Sequence, residues 1–377
     1  MKLQDHIELL GLGHPLPLRL LHDTGIREAL EAGRIHIDRE LLPDQIQPAT
    51  LDVRIGKVRV YDTEAMRLTA LVENARLRVT LADLDREPTD EFATVYPDEK
   101  DLPIILPPYS YTEITPHETI IWNPEDYFVT TDLRSSRGRL ILQLASDFFL
   151  PGQQHLAVWN WNPNPIILYG QSKFAQFFFH PNRDDLPNNG YVVTNDPEAK
   201  DLARTVFEDG VELLGPYLLF RLGDHLLRFK RDLGNIDTNK KYLDDQLYER
   251  KETTKPVHLG VQEPVIAQLH PYVKLPPDIG IKILGIAPFS QQSGFIRPNI
   301  LMAGLEARCA NAGWVDPGYE GYVTAHPFRF QNPVTLQRGD VLALGLFYKY
   351  STSVGRAYGS PVLRSHYQGS TGTGTRS

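Results

Sequence analysis

Cysteine is almost absent from this chain: among 377 residues Cys309 stands alone. One thiol excludes a disulfide framework, and it leaves no Cys–Cys spacing from which a zinc site is built. Basic charge is also short, with 39 Lys and Arg against 47 Asp and Glu and a net charge of −8. That balance excludes the broad phosphate-neutralising face by which proteins hold nucleic-acid polymers, while leaving room for a small anion held by a few arginines. Long apolar runs are missing too. No uncharged stretch reaches membrane-spanning length, and Asp5, His6 and Glu8 fall where a secretory signal would be apolar. These absences predict a soluble protein of a reducing, cytoplasmic compartment, with neither a membrane nor a nucleic-acid polymer as partner.

Helical signals are few. Thr24 is placed to cap GIREALEAG, with Gly33 as its stop, and Asp196-Pro197 opens a second helix ending near Gly210; Asp237 to Glu252 is a third candidate. Elsewhere the pattern is of short β-branched and aromatic runs, among them VRIGKVRVY, PIIL, YFVTT, LILQL, HLAVWNW, IIL and KFAQFFF, broken by Pro, Gly, Asn and Asp. That composition predicts an all-β protein of sandwich or barrel type with a few short helices.

The chain also repeats itself. Val53-Arg54-Ile55-Gly56 recurs as Phe220-Arg221-Leu222-Gly223, Pro151-Gly152 as Pro317-Gly318, and NPIILYGQSKFAQFFF from Asn164 as NPVTLQRGDVLALGLFY from Asn332, all at an offset of about 167 residues. Three matches in the same order at nearly one offset predict a tandem duplication, with domains over 1–182 and 183–377 and the polar PNRDDLPNNG near the boundary. The final QGSTGTGTRS is Gly-, Ser- and Thr-rich and is expected to be a mobile tail without ligand.

Four clusters carry chemistry. QIQPATLDVRIG, from Gln45 to Gly56, sets Asp52 and Arg54 on a strand. RSSRGR, from Arg134 to Arg139, gathers guanidinium groups and the hydroxyls of Ser135 and Ser136 after a strand; turned into a helix or nest, it forms an anion site, the alternative being a solvated basic turn. NAGWVDPGYEGYVT, from Asn311 to Thr324, predicts a β-hairpin with Asp316 at its corner and Tyr319 beside it. AYGSPVLRSHYQGSTGTG ends in a Gly-rich segment suited to closing over phosphates.

In order, QPATLDVRIG, RSSRGR, AGWVDPGYEG and AYG…HYQGS resemble the dCTP deaminase branch of the dUTPase-like superfamily. The resemblance implies two tandem dUTPase-like domains of the β-clip or distorted jelly-roll kind. It extends to the layout, since some bacterial dCTP deaminases of this length resemble two fused copies. Here the copies divide the motifs: Leu219 stands in the second copy where the first has Asp52, and Leu150 in the first where the second has Asp316.

What the resemblance implies about the site is specific. Arg134, Ser135, Ser136 and Arg139 are assigned to the phosphates and to orienting the attacked base. Trp314, Asp316 and Tyr319 lie beside base and deoxyribose, and Tyr358, His366, Gln368, Ser370 and Thr371 belong to the closing arm. The implied enzyme uses no zinc, takes Mg²⁺ with its triphosphate, and forms homo-oligomers. The family's catalytic Glu aligns with His326 in the second copy and with Asn160 in the first. Ser135, Arg139, Asp316 and His326 are therefore the candidate catalytic residues, with neutral His326 as a general base; Asp147, Glu306 and Glu320 are the nearby carboxylates that folding could bring in. The expected function is deamination of dCTP to dUTP and ammonia. The alternatives are dUTP pyrophosphatase, with Asp316 activating water, and a catalytically silent nucleotide-binding or regulatory protein.

Overall fold

Most of the β-branched and aromatic runs form strands as their composition predicts. Leu51–Tyr61, Pro103–Leu106, Tyr127–Leu133, Leu156–Asn160, Ile166–Tyr169 and Lys173–Pro181 are all extended. The computed structural model describes residues 19–61, 93–144, 149–186, 189–260, 263, 265–289, 307–309, 313–330, 334–361, 363 and 367–370. LILQL yields a shorter strand than expected, Leu142–Leu144, because Ile141 takes φ 64° as it leaves the preceding helical turn.

Two sheets repeat one pairing order. In the first, the strands run Tyr127–Leu133, Lys173–Pro181, Leu51–Tyr61, Tyr111–Pro116, Leu156–Asn160, Leu142–Leu144. In the second, Ile279–Phe289, Val341–Tyr350, Tyr217–Phe229, Val265–Lys274, Glu320–Phe330 and Ala307–Cys309 follow in the corresponding order, and all these contacts are antiparallel. The repeated sequence falls on the same irregularity in both: the register slips between Lys173 and Ala175 opposite Arg54 and Val53, and again between Phe220 and Arg221 opposite Ala343 and Val341. A bulge sharpens local twist, so its recurrence helps to give both sheets the same curvature.

The halves are packed together. The core of the first takes in Leu227, Phe229, Tyr248 and Ile266 from beyond residue 215. A smaller cluster of Leu20, Ala49, Phe178, Tyr348, Tyr350 and Val354 lies where the second sheet meets the first. Arg19–Leu20 pairs with Gly190–Val192, which pairs with Val341–Tyr350, so the described start of the chain belongs to the second sheet.

The helices differ from expectation in detail. Asp23–Glu31 is capped by His22 rather than by Thr24: its Nδ1 accepts from Thr24 N (3.1 Å) and Gly25 N (3.4 Å). Burial pushes the imidazole pKa down, which keeps it neutral and leaves that lone pair available. Asp196–Val206 forms with Asn195 as its cap. The segment from Asp237 to Glu252 is not a helix. It holds a strand end at Asp237, one turn at Asp244–Leu247 and the strand Tyr248–Glu252, because that strand extends the second sheet against Tyr217–Phe229.

Candidate active site

Register across three strands of the first sheet creates the floor of the site. Gln176 stands opposite Asp52 on one side and opposite Asp132 on the other, so Asp52, Gln176 and Asp132 form a row. Asp52 is fully buried; Gln176 Nε2 lies 3.4 Å from its Oδ1, whereas Oδ2 has no hydrogen-bond donor. Arg134 Nε lies 3.4 Å from that oxygen.

RSSRGR forms a single helical turn. Arg134 occupies the cap position of a single helical turn, Ser135–Gly138, and its carbonyl accepts from Arg137 N and Gly138 N. The first amides of a helix have no partner within it. Those of Ser135 and Ser136, with their half-buried hydroxyls, are accordingly left without protein partners among the described residues. The buried Arg139 guanidinium sits 4.0 Å over the ring of Tyr367, and its carbonyl accepts from Tyr248 Oη (3.3 Å).

The second half delivers the opposite wall. Gly313 N donates to Asp132 Oδ2 at 2.6 Å, which anchors the segment ahead of Asp316 on the first sheet, and Lys282 Nζ approaches the same oxygen at 3.4 Å. Trp314 packs edge-on against Phe178 and Tyr348, with ring centroids 5.6 and 5.1 Å apart, and its indole N–H donates to Asp316 Oδ1 (3.1 Å). At the Asp316-Pro317-Gly318 turn, Tyr319 N donates to Asp316 O (3.1 Å) and Gly318 takes φ 86°.

The expected β-hairpin does not form. Trp314–Val315 pairs with Ile279–Phe289, whereas Glu320–Phe330 pairs with Val265–Lys274 and Ala307–Cys309. The corner therefore carries the chain between two non-adjacent strands of one sheet, each arm having found a longer partner elsewhere. The corresponding corner of the first half also carries a left-handed glycine, Gly152 at φ 83°, but it presents Leu150, 59% exposed, where the second has the half-buried Asp316.

The arm closes on this corner. Tyr358 N donates to Pro317 O (2.8 Å), the Tyr358 and Tyr319 rings meet edge-on at 5.6 Å, and Tyr358 Oη accepts from Tyr367 N (3.2 Å). Gln368 bridges Gly318 O and Glu320 N at 3.2 and 3.3 Å, Gly369 N donates to Glu320 O (2.7 Å), and Tyr322 N to Ser370 O (2.8 Å). The segment Gln368–Ser370, expected to be part of a mobile tail, is thus docked by a strand-like bridge to Gly321.

Charge in the pocket is unbalanced. Burial, reinforced by the Asp52 carboxylate, pushes Asp316 up to about 7 against the opposing pull of Trp314 and Arg134. Asp52 is raised as well, mainly by burial, with Arg134 opposing. A buried and a half-buried acid thus lie close together, with the Arg134 guanidinium opposing both shifts and Lys173 opposing that of Asp52.

Of the residues expected from sequence, Arg134, Arg139, Trp314, Asp316, Tyr319, Tyr358, Gln368 and Ser370 converge here, with Ser135 and Ser136 on the adjoining turn. His326 lies within the strand Glu320–Phe330, where only its backbone is described; Asn160, its counterpart, is buried and donates to the carbonyls of Leu106 and Pro107. Glu320 is at the strand start near Lys274 and Tyr272. His366, Thr371, Asp147 and Glu306 lie outside the described residues. Sequence reasoning passed over Asp132, Tyr248 and Tyr367. Asp132 stands two places before Arg134, but nothing local distinguishes it from other strand acids.

The fold defines an all-β protein of the dUTPase-like kind, and the candidate site draws residues from both halves of the chain. Residues 20–182 match the dCTP deaminase-like family model. A dCTP deaminase, dUMP-forming, of Corynebacterium diphtheriae is 30% identical over 152 residues, covering 37% of this chain and 74% of that relative. One of the same description from Methanosphaera stadtmanae is 25% identical over 167 residues, 43% of this chain and 79% of its own. The crystal structure of the 2'-deoxycytidine 5'-triphosphate deaminase of Agrobacterium tumefaciens shares the fold, with a TM-score of 0.64 at 17% identity over 89% of this chain and 97% of that one. The chain belongs to the dCTP deaminase family.

Proposed function

We propose that the chain binds dCTP between the RSSRGR turn and the Asp316 corner and hydrolyses its exocyclic amine. Water adds to C4 of cytosine, the tetrahedral carbon expels ammonia, and the uracil carbonyl remains. One observation carries this reading: Arg134 of one half, beside Asp52, acts on the half-buried Asp316 of the other, held near pKa 7, while Arg139 stacks on Tyr367 of the arm that closes on the Asp316 corner.

In this reading the amides and hydroxyls of Ser135 and Ser136 and the Arg139 fork hold phosphate oxygens and orient the base. Trp314, Tyr319 and Tyr358 enclose base and sugar, and the arm through Gln368 and Ser370, continued by His366 and Thr371, excludes water. Asp316 takes the proton of the attacking water and returns it to the departing nitrogen; near neutrality its two protonation states are both populated, as general acid–base catalysis requires. His326, at the family's glutamate position, is the competing base. Mg²⁺ fits as a companion of the triphosphate, neutralising its charge through phosphate oxygens and water, which requires no protein cage; among the described residues no group of three or more His, Cys, Asp or Glu gathers. We further propose that the halves are tandem copies, for which the repeated strand order speaks, and that the chain assembles as a homo-oligomer, which sedimentation equilibrium reads. Among the described residues no helix is long and apolar enough to cross a membrane.

Incubation with dCTP and Mg²⁺, with ammonia and nucleotide products quantified, tests the function. Ammonia release abolished by Asp316→Asn but retained by His326→Gln supports this reading, and the reverse pattern assigns the base to His326. The relatives' description as dUMP-forming favours a second activity at the same site, so dUMP and pyrophosphate are measured alongside dUTP. Nucleotide binding with neither ammonia nor pyrophosphate would make the chain a binding protein.

A further inference from the structure

A cavity of about 300 Å³ lies between the Asp23–Glu31 helix, the Leu41–Ile46 segment and the base of the arm, and none of its lining residues belongs to the nucleotide pocket. Arg27 and Arg356, 329 positions apart in sequence, both line it. Arg27 Nη2 is buried without a hydrogen-bond partner. Arg356 Nη1 donates to Pro43 O (2.6 Å), which holds that side chain in place.

Arginine does not shed its proton to escape a like charge, so two guanidinium groups around one cavity call for a counterion. Among the described residues neither makes an ion pair within 4.0 Å. The fields of Asp23 and Glu31 reach Arg27, but neither forms an ion pair with it: Asp23 Oδ1 accepts from Gly355 N (2.9 Å), and Glu31, which lines the same cavity, is exposed at its rim. A buried donor without an acceptor is costly, and charge-assisted bonds to an oxyanion relieve it. Leu41, Leu42 and Ile46 add an apolar wall, with Leu42 42% exposed.

We propose that Arg27 and Arg356 bind the oxyanion of a phosphate ester whose apolar part rests on Leu41, Leu42 and Ile46. Arg356 is two residues before Tyr358, and Gly355 is already bonded to Asp23, so the occupant ties the arm to the first helix. The site is separate from the nucleotide pocket and does not depend on the reaction assigned there.

Calorimetric titration of the full chain tests this with inorganic phosphate, phenyl phosphate and acetate as probes. An Arg139→Ala background removes the main phosphate contact of the nucleotide pocket. There, phenyl phosphate is expected to bind more tightly than inorganic phosphate and acetate more weakly than either. Arg27→Gln and Arg356→Gln, each added singly, should raise the dissociation constants of both phosphates by about tenfold or more, the range of a lost charge-assisted bond. Both substitutions preserve helix propensity or lie in a loop, and unchanged circular dichroism confirms folding. The proposal is overturned if phosphate binding disappears with Arg139→Ala alone, if it survives both Gln variants, or if acetate binds as tightly as phosphate. Equal affinity for phenyl and inorganic phosphate removes the apolar part of the ligand.

Discussion

Asp316→Asn should make the protein more stable at neutral pH. An unfolded-state carboxyl near 3.8 is moved to about 7 in the folded chain, chiefly by burial and secondarily by Asp52. A raised pKa means that folding favours the protonated form. Below 3.8 the group is protonated in both states and changes nothing; as pH rises towards 7 the unfolded chain loses the proton and the folded chain does not, so stability falls until both are ionised. At about 1.4 kcal/mol for each tenfold step, the accumulated loss is about 4 kcal/mol, an order-of-magnitude figure. Asn keeps an oxygen to accept from the Trp314 indole and cannot ionise. Urea unfolding of both proteins from pH 4 to 8 should therefore show the variant's advantage widening by up to about 4 kcal/mol between pH 4 and 7 and then staying level. Asp52 is coupled to Asp316, so the same comparison in an Asp52→Asn background removes the part of the difference that belongs to the pair. A stability difference that is flat with pH, or that moves the other way, refutes the placement of Asp316 as a strained acid.

Turnover of dCTP should fall as pH drops through about 7, because Asp316 must be ionised to take a proton; Asp52→Asn, by removing the neighbouring like charge, should shift that limb to lower pH. Arg139→Ala should weaken dCTP binding by about 2 kcal/mol, the range for a hydrogen bond to a charged group, and calorimetry showing unchanged affinity with the fold intact removes Arg139 from the site. Asp132→Ala leaves the buried Gly313 amide without its acceptor and should lower unfolding free energy by about 1–3 kcal/mol, with dCTP affinity falling as the Asp316 corner comes loose. Gly318→Ala sets a Cβ 2.8 Å from that of Ala357 at φ 86° and should cost about 1–3 kcal/mol in thermal unfolding, while Gly152→Ala, at nearly the same φ, meets no neighbour within 4 Å and should cost less.

Sequence alone determined the local elements of this protein. Alternating β-branched and aromatic residues made segments such as Leu51–Tyr61 and Lys173–Pro181 extended, because that preference is settled within a few residues by backbone sterics and side-chain shape. The Asp316-Pro317-Gly318 turn and the turn of RSSRGR were legible for the same reason, since proline, glycine and paired hydroxyls constrain only the backbone around them. The tertiary structure decided what those elements meet. A strand's composition does not name its partner, so the expected hairpin resolved into two strands paired elsewhere, and the supposed helix from Asp237 became largely a sheet edge. The helix begins at Asp23, which puts Thr24 inside the first turn and leaves the extended His22 as the cap, its Nδ1 accepting from Thr24 N and Gly25 N. Register alone set Asp132 and Asp52 in one row through Gln176, and packing of the second half onto that row brought the half-buried Asp316 near Asp52. A pKa is the sum of burial and fields from groups far apart in sequence, so the raised pKa of Asp316 arises only where the two halves meet.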